Sequence, residues 1–345
     1  MGPSDSTIER FGDYELIERI GSGGMAEVYR ARSVGPSDLN RTVVVKKILP
    51  QYAQNRAFVQ MLIAEARVNS VLQHPNIVQV YDLGQHARQF YIAMEYVPGV
   101  DLLGVLRRCA SEKIAFPLEL ALYIVAEVCS GLAHAHHARD LRGRPLRLIH
   151  RDVSPSNILL DALGLVKILD FGVAHADLLH SDQLRVKTQQ RSDTVKGKLG
   201  YLSPEQVLGQ PVDQRADIFA LGVVLFESLT LERLFVGASD IQTLMNIREC
   251  GVETRLGDYP TIPDPIKVIL RRSLASDPAQ RFQSAQAFRT AIMDHMFDAG
   301  LQANARMLSG FLNDIELAIP TELPRPVLTD SPDKPHPRRE PQPSV

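Results

Sequence analysis

The stretch that most constrains this chain is the segment His150–Gly172, which reads HRDVSPSNILLDALGLVKILDFG. Its first tripeptide ends at Asp152, Asn157 follows after four intervening residues, and its last tripeptide begins at Asp170. Two apolar runs with a turn at Asp161–Gly164 predict a pair of short strands between the polar ends. Such a hairpin places both ends of the segment beside a single cleft. Carboxylate and amide oxygens gathered there are suited to holding a hard divalent cation.

The motifs and their spacing resemble the catalytic segment of the protein kinases, in their bacterial Ser/Thr branch, and the resemblance covers residues 14–297. It implies an α+β fold with a small sheet-rich lobe, a larger helical lobe, and ATP and Mg²⁺ between them. In such a site Asp152 orients the acceptor hydroxyl, while Asn157 and Asp170 hold Mg²⁺. The implied function is a Ser/Thr protein kinase that transfers the γ-phosphate of ATP to protein hydroxyls, with self-association for autophosphorylation as a further expectation.

A glycine-rich loop near the N-terminus is the expected cover of the ATP phosphates. It lies between two predicted strands, Tyr14–Ile20 and Val28–Ala31, and its glycines let backbone N–H groups approach phosphate oxygens. Because a strand follows the loop rather than a helix, the loop does not match a Rossmann dinucleotide site. The resemblance assigns these residues to nucleotide binding: Ile20, Gly21, Ser22, Gly23, Gly24, Met25, Ala26, Val28, Val44, Lys46, Met94, Glu95, Val97 and Asp101.

The connection between the lobes is expected to bind the adenine. By resemblance, backbone groups of Glu95 and Val97 bond the adenine edge, and Met94 limits the pocket behind it. Asp101 would contact the ribose. The same residue is equally suited to cap the helix that follows it, and the sequence leaves both roles open.

A strand predicted over Thr42–Ile48 carries two adjacent lysines, whose side chains point to opposite faces. A solvated lysine pair is one interpretation, but the resemblance selects Lys46 as the ligand of the α- and β-phosphates. Glu65 falls in the apolar stripe of a helix predicted over Ala53–Leu72, where an unpaired carboxylate would be costly. We therefore predict an ion pair between Lys46 and Glu65, with an N–O distance of roughly 2.7–3.2 Å. Asn69 lies one turn further along the stripe, and the pattern gives no reason for it.

Two positions depart from the family pattern in a complementary way. Ser/Thr kinases carry a lysine two residues after the catalytic aspartate, where this chain has Ser154. They carry a threonine after the activation-segment glycine, where this chain has Lys198. We hypothesise that Lys198 reaches back toward Asp152 and supplies the missing cation to the transferred phosphoryl group. The alternative is that Lys198 faces solvent and that catalysis is weaker.

The missing lysine keeps two other classes of function open. One is a pseudokinase that binds ATP as a scaffold or signalling module, and the other is a kinase of small molecules. The long activation segment, residues 173–203 by resemblance, favours a protein acceptor. We expect phosphorylation of this segment to regulate activity, with Arg151 as the partner of the phosphate. Thr194 is the first candidate, and Ser192 and Thr188 are alternatives.

Several polar residues of the predicted large lobe have expected structural roles. Asp217 opens a buried helix and resembles the aspartate that holds the catalytic-loop backbone. Arg281 resembles the arginine that forms a buried pair with Glu205, and a surface salt bridge is the alternative. The histidines within His134–His137 have no cysteine or carboxylate at ligand spacing, so we interpret them as a helix end rather than a metal site.

Composition excludes several classes of partner. The formal net charge of −2 gives no general attraction to nucleic acid or to an anionic membrane. The three cysteines, Cys109, Cys129 and Cys250, have no metal-ligand or disulfide-framework spacing, which suits a reducing cytoplasm. The most apolar run, Leu118–Leu132, carries two glutamates and is too short to span a bilayer. With no signal-peptide pattern at the N-terminus, we expect a cytoplasmic protein.

The predicted organisation contains several parts beyond the two lobes. They are a polar leader over residues 1–12, a kinase-like domain over 13–297 (small lobe 13–94, hinge 95–99, large lobe 100–297), an amphipathic helix over 298–319 and a Pro-rich tail over 320–345. The helix would have one apolar face, formed by Leu301, Ala305, Leu308, Leu312 and Ile315. The tail contains too few apolar side chains to order itself by burial.

Overall fold

The computed structural model describes residues 9–22, 25–34, 40–53, 55–140, 142–169, 171 and 198–316. Within these ranges a small sheet-based lobe precedes a larger helical lobe, which confirms the predicted two-lobed α+β fold. The strands are β1 (Glu9–Phe11), β2 (Tyr14–Ser22), β3 (Ala26–Ser33), β4 (Thr42–Ile48), β5 (Val80–His86), β6 (Gln89–Glu95), β7 (Gly99–Asp101), β8 (Ile158–Asp161) and β9 (Val166–Ile168). The helices are α1 (Pro50–Ala53), α2 (Arg56–Val71), α3 (Leu102–Glu112), α4 (Leu118–His136), α5 (Pro204–Val207), α6 (Arg215–Thr230), α7 (Asp240–Glu249), α8 (Val252–Gly257), α9 (Asp264–Ser273), α10 (Ala285–Asp298) and α11 (Ala305–Asp314).

The sheet of the small lobe is antiparallel, and its described strands follow the order β1-β2-β3-β4-β6-β5. Strand β4 has the predicted bounds, and its register against β6 pairs Val44 with Met94 and Lys46 with Ile92. Helix α2 begins three residues later than predicted, because Asn55 caps it by accepting the N–H of Phe58 at 3.2 Å.

The predicted polar leader is too long at its C-terminal end. Strand β1 pairs with β2, and Phe11 is buried against the ring of Tyr91, with centroids 5.6 Å apart. Lys47 is buried beneath this strand, so the interpretation as a solvated lysine pair is wrong for it. Its ammonium lies 3.0 Å from the Glu9 carboxylate and 4.6 Å from the Phe11 ring centroid. Because side chains alternate along β4, Lys46 lies on the opposite face.

Helix α6 is the centre of the large lobe. Every residue from Ala216 to Ser228 is buried, as expected for a helix that is apolar around its circumference. Helix α4 packs against it. In the described part of the chain α4 is the one helix long and apolar enough to cross a membrane, and 61% of its apolar window is buried inside the lobe.

The amphipathic helix predicted over residues 298–319 is shorter than expected. Helix α10 continues to Asp298 and is followed by Gly300 at φ +63°, so α11 begins only at Ala305. The predicted apolar face is largely present, because Leu308, Leu312 and Ile315 are buried in the same core as α4 and α6. Helix α11 therefore belongs to the core of the large lobe.

The turn between β8 and β9 makes a close contact with α11. Ser309 donates its hydroxyl hydrogen to the Ala162 carbonyl at 2.6 Å. Gly164 has φ +80°, and a Cβ at this position would overlap the carbonyl group of Ala305. We expect Gly164→Ala to lower the free energy of unfolding by roughly 2–4 kcal/mol, measured by urea denaturation, from left-handed strain plus overpacking.

Gly143→Ala is the matched control for that change. Gly143 has φ +77°, but no described atom lies within 4 Å of a Cβ built there. This variant should lose only the conformational contribution, about 1–2 kcal/mol. Equal losses in the two variants would contradict a close packing of α11 on the turn.

Candidate active site

The backbone of the catalytic loop is held by Asp217 from the first turn of α6. Its two carboxylate oxygens accept the N–H groups of His150 and Arg151, each at 2.8 Å. The predicted role of Asp217 is therefore confirmed. The same carboxylate accepts a hydrogen bond from Nε2 of His136 at 2.8 Å. Burial by itself would raise the pKa of Asp217, but the bonds from His136 and His150 hold it below its usual value.

The bond from Arg151 to Asp217 stabilises a strained backbone. Arg151 has φ +64°, a left-handed conformation that costs energy in a non-glycine residue and that the bond to Asp217 stabilises.

Two of the clustered histidines have structural partners. His136 donates to Asp217, and His137 donates to the Ala133 carbonyl at 2.8 Å. No group of three metal-ligating side chains occurs among the described residues.

Asp152 is the meeting point of the catalytic loop and the end of the activation segment. The amide nitrogen of Asn157 donates to the Asp152 main-chain oxygen at 2.7 Å and to its Oδ2 at 2.8 Å. Because that nitrogen is committed, the amide oxygen is the atom that can face a cation. The Lys198 ammonium lies 2.6 Å from the same Oδ2. Lys198 is thus at Asp152, as hypothesised, whereas Ser154 is buried with its hydroxyl 3.1 Å from that of Ser156.

The predicted hairpin positions the second motif beside the first. Strands β8 and β9 pair with each other, and β7 pairs with β8. The N–H of Leu169 donates to the Asn157 carbonyl at 2.9 Å, and His150 Nε2 donates to the Leu169 carbonyl at 2.8 Å. Phe171 is buried, with its ring centroid 4.7 Å from that of His150. Asp170 lies outside the described residues, so its metal role stays a prediction.

Asn69 has a partner that the sequence did not indicate. It is buried on α2, and its amide nitrogen donates to the Phe171 carbonyl at 3.5 Å. A polar residue within an apolar helical stripe is the signal that could have suggested such a contact. The bond connects the helix of Glu65 to the motif that begins at Asp170.

Most of the predicted phosphate and adenine residues that the structure describes belong to strands of the small-lobe sheet. Ala26, Val44, Met94 and Val97 share one apolar cluster. The other assigned residues of β2 and β3 are Ile20, Gly21, Ser22 and Val28. Met25 is described, whereas Gly23 and Gly24 lie outside the described residues. Glu65 is in α2, but its side chain is outside the described part, so the pair with Lys46 stays a prediction.

The hinge carries an interlobe contact that sequence reasoning missed. The Glu95 carboxylate lies 2.9 Å from the Lys167 ammonium of β9 and accepts the N–H of Gln79 at 3.2 Å. Nothing local in the sequence pairs residues so far apart. Asp101 caps α3 by accepting the N–H of Gly104 at 2.7 Å, so of its two possible roles the cap is present and the ribose contact stays a prediction.

The Glu205–Arg281 pair is buried, which rules out the surface alternative. Two N–O contacts of 2.7 Å join the guanidinium and the carboxylate. Arg281 also donates to the main-chain oxygen of Ala275 at 2.7 Å. The predicted pair is confirmed and fastens α5 to the segment that precedes α10.

An open groove begins at Lys198 and continues toward α7. Its volume is about 1030 Å³, and its lining includes Ser156, Lys198, Tyr201, Arg233 and Ile241. Asp152 is connected to this groove through Lys198, whose ammonium contacts its carboxylate.

Fold and site together define a kinase: a lobe built on an antiparallel sheet precedes a helical lobe that holds Asp152 beside Asn157 and Lys198. Residues 14–293 match the family model described as protein kinase domain, and the chain belongs to this family. Membership implies ATP as a substrate.

Curated relatives and solved structures agree with this assignment. The chain is 37% identical over 311 residues to the tyrosine-protein kinase MasK of Myxococcus xanthus, covering 89% of this chain and 47% of that protein. It is 35% identical over 288 residues to the serine/threonine-protein kinase PrkC of Bacillus subtilis, covering 84% of this chain and 41% of that protein. The chain thus spans less than half of each relative. The crystal structure of the Mycobacterium tuberculosis PknI kinase domain superposes with a TM-score of 0.60 at 26% identity, covering 84% of this chain and 98% of that one.

Proposed function

We propose that the chain is a Ser/Thr protein kinase domain that transfers the γ-phosphate of ATP to protein hydroxyls. The observation that carries this proposal is the environment of Asp152, whose carboxylate is held by Asn157 and Lys198 beside an open groove. PrkC, named a serine/threonine-protein kinase, supports the choice of acceptor, whereas the name of MasK makes tyrosine the competing acceptor.

The residues of the site would divide the work as follows. Asp152 orients the acceptor hydroxyl toward the phosphoryl group, and Lys46 positions the α- and β-phosphates. Asn157 and Asp170 would hold Mg²⁺, which when bound neutralises charge on the phosphates. Lys198 supplies the cation that the family's lysine provides at the position of Ser154, and it stabilises charge on the transferred group. The pseudokinase alternative gains no support from the described residues, because both Asp152 and Asn157 are present in a connected geometry.

The proposal also includes a cellular location and a mode of regulation. The described cysteines are free, which suits a cytoplasmic location. Thr188, Ser192 and Thr194 lie outside the described residues, and we retain their phosphorylation, through self-association, as the mode of activation.

The proposal is tested with the purified chain, labelled ATP and Mg²⁺. Peptides that differ only in Ser, Thr or Tyr at one position serve as acceptors, followed by phosphosite mapping. We expect phosphoserine and phosphothreonine, and a loss of roughly 10²–10⁴-fold in kcat for Asp152→Asn, which removes the carboxylate but keeps the shape. Phosphotyrosine alone would overturn the acceptor assignment. ATP binding without transfer in the parent chain would establish the pseudokinase.

A further inference from the structure

The turn that carries Lys198 is attached to the large lobe by polar contacts of the buried Tyr201 side chain. Residues Leu199–Tyr201 form a 3₁₀ helix immediately after Lys198. The Tyr201 hydroxyl donates to Glu227 Oε2 of α6 at 2.6 Å and accepts from a guanidinium N–H of Arg233 at 2.6 Å. The Arg233 guanidinium also lies over the Tyr201 ring, 4.8 Å from its centroid. The Tyr201 hydroxyl therefore both donates and accepts a hydrogen bond, and Arg233 also covers one face of its ring.

The Glu227 carboxylate and the Arg233 guanidinium form an ion pair beside the Tyr201 hydroxyl. Glu227 is buried, and its carboxylate lies 3.4 Å from the Arg233 guanidinium. Burial raises the pKa of Glu227, while Arg233 and the bond from Tyr201 act in the opposite direction. The buried carboxylate, with a cation and a phenol as partners, anchors the turn to α6, and removing the Tyr201 hydroxyl takes away the shortest hydrogen bond that Glu227 accepts.

One helix holds both halves of the Lys198–Asp152 contact. Asp217 of α6 fixes the backbone of the loop that carries Asp152. Glu227, about 15 Å further along the same helix, fixes the turn that carries Lys198. The 2.6 Å contact between the two charged groups thus joins two segments that are both attached to this helix.

We propose that Tyr201, Glu227 and Arg233 form a positioning device that delivers the Lys198 ammonium to Asp152. The inference rests on the proposed function, because it concerns the same transfer. The cation belongs to the activation segment and not to the catalytic loop, so it is present at Asp152 only while the turn Leu199–Tyr201 is docked on α6. Docking of this turn is then a requirement for phosphoryl transfer.

The competing interpretation is that Tyr201 and Arg233 act directly on the acceptor peptide, since both line the groove. The two interpretations differ in their dependence on Lys198. A device that works through Lys198 has no effect on turnover once that amine is removed. A peptide contact remains effective without Lys198 and changes KM for the peptide.

A double-mutant cycle separates them. Tyr201→Phe keeps the ring and removes the hydroxyl, so it should lower kcat at saturating peptide by roughly 10- to 100-fold. In the Lys198→Ala background the same change should have no further effect on kcat. Tyr91→Phe is the matched control, because the Tyr91 hydroxyl makes a comparable 3.1 Å bond to Asp82 within the small-lobe sheet, and its kcat should equal that of the parent.

A second measurement follows the position of Lys198 without relying on activity. The rate at which an acylating reagent modifies the Lys198 amine, followed by mass spectrometry, should rise in folded Tyr201→Phe and in Glu227→Gln, and stay at the parent value in Tyr91→Phe. Thermal unfolding verifies that each variant is folded.

The outcomes decide the proposal in either direction. An equal fall in kcat with and without Lys198, or an unchanged labelling rate in the folded anchor variants, overturns the positioning device. If the parent chain transfers no phosphate, the proposed function falls, and the labelling rates still decide whether the anchor holds Lys198.

Discussion

Lys198→Ala is expected to lose roughly 100- to 1000-fold in kcat, the scale of one preorganised charge at a reacting group. The ammonium is 2.6 Å from Asp152, and Ser154, in the position of the family's lysine, is buried with its hydroxyl 3.1 Å from that of Ser156. KM for ATP should change little, because the ammonium acts on charge that develops during transfer rather than in the bound ground state. Steady-state kinetics with a fixed peptide acceptor measure both quantities.

Three further variants define the cause of the loss. Lys267→Ala removes a lysine of α9, far in sequence from the catalytic loop, and should turn over like the parent. The double change Ser154→Lys with Lys198→Thr restores the arrangement of the family and should recover part of the rate. Turnover of Lys198→Ala at the level of the parent would show that the contact with Asp152 has no catalytic role.

The largest effect on stability is expected from Arg281→Met or Glu205→Gln, each of which leaves the other partner buried without its counter-charge. The cost should be on the order of 3–5 kcal/mol in the free energy of unfolding, measured by urea denaturation. The two N–O contacts of 2.7 Å and the burial of Arg281 place this pair among those whose disruption from one side is costly.

An exposed pair with the same separation is the appropriate comparison. Arg271 lies 2.7 Å from Glu253, with 43% and 70% of the two side chains exposed. Arg271→Met should cost at most about 1 kcal/mol. Similar losses for the buried and exposed arginines would contradict the role assigned to burial.

The parts of the site that the sequence predicted are those carried by the motifs of the kinase family. The roles of Asp217 and of the Glu205–Arg281 pair were implied by that resemblance, and in the structure both satisfy buried polar groups. The position of Lys198 was predicted because Ser154 stands where the family has a lysine, so the cation was expected from another residue. The hairpin between the motifs was predicted because its apolar runs and turn are local.

The missed features depend on distant parts of the chain. Lys47 is buried because β1 covers it, and three residues are too few for a strand signal without the sheet they join. The Glu95–Lys167 contact and the bond from Asn69 to Phe171 join residues from separate elements. The helix predicted after residue 298 is too long, because the apolar periodicity of the sequence continues across the break at Gly300.

The packing of α11 has a consequence for where the folding unit of this chain stops. The family pattern ends at residue 293, yet Leu308, Leu312 and Ile315 fill the same core as α4 and α6. Each such side chain contributes roughly 1.5–3 kcal/mol when buried. Three of them amount to a sizeable fraction of the 5–15 kcal/mol typical of a whole domain. The smallest autonomous unit of this chain therefore extends through α11, about twenty residues beyond the limit that the family pattern marks.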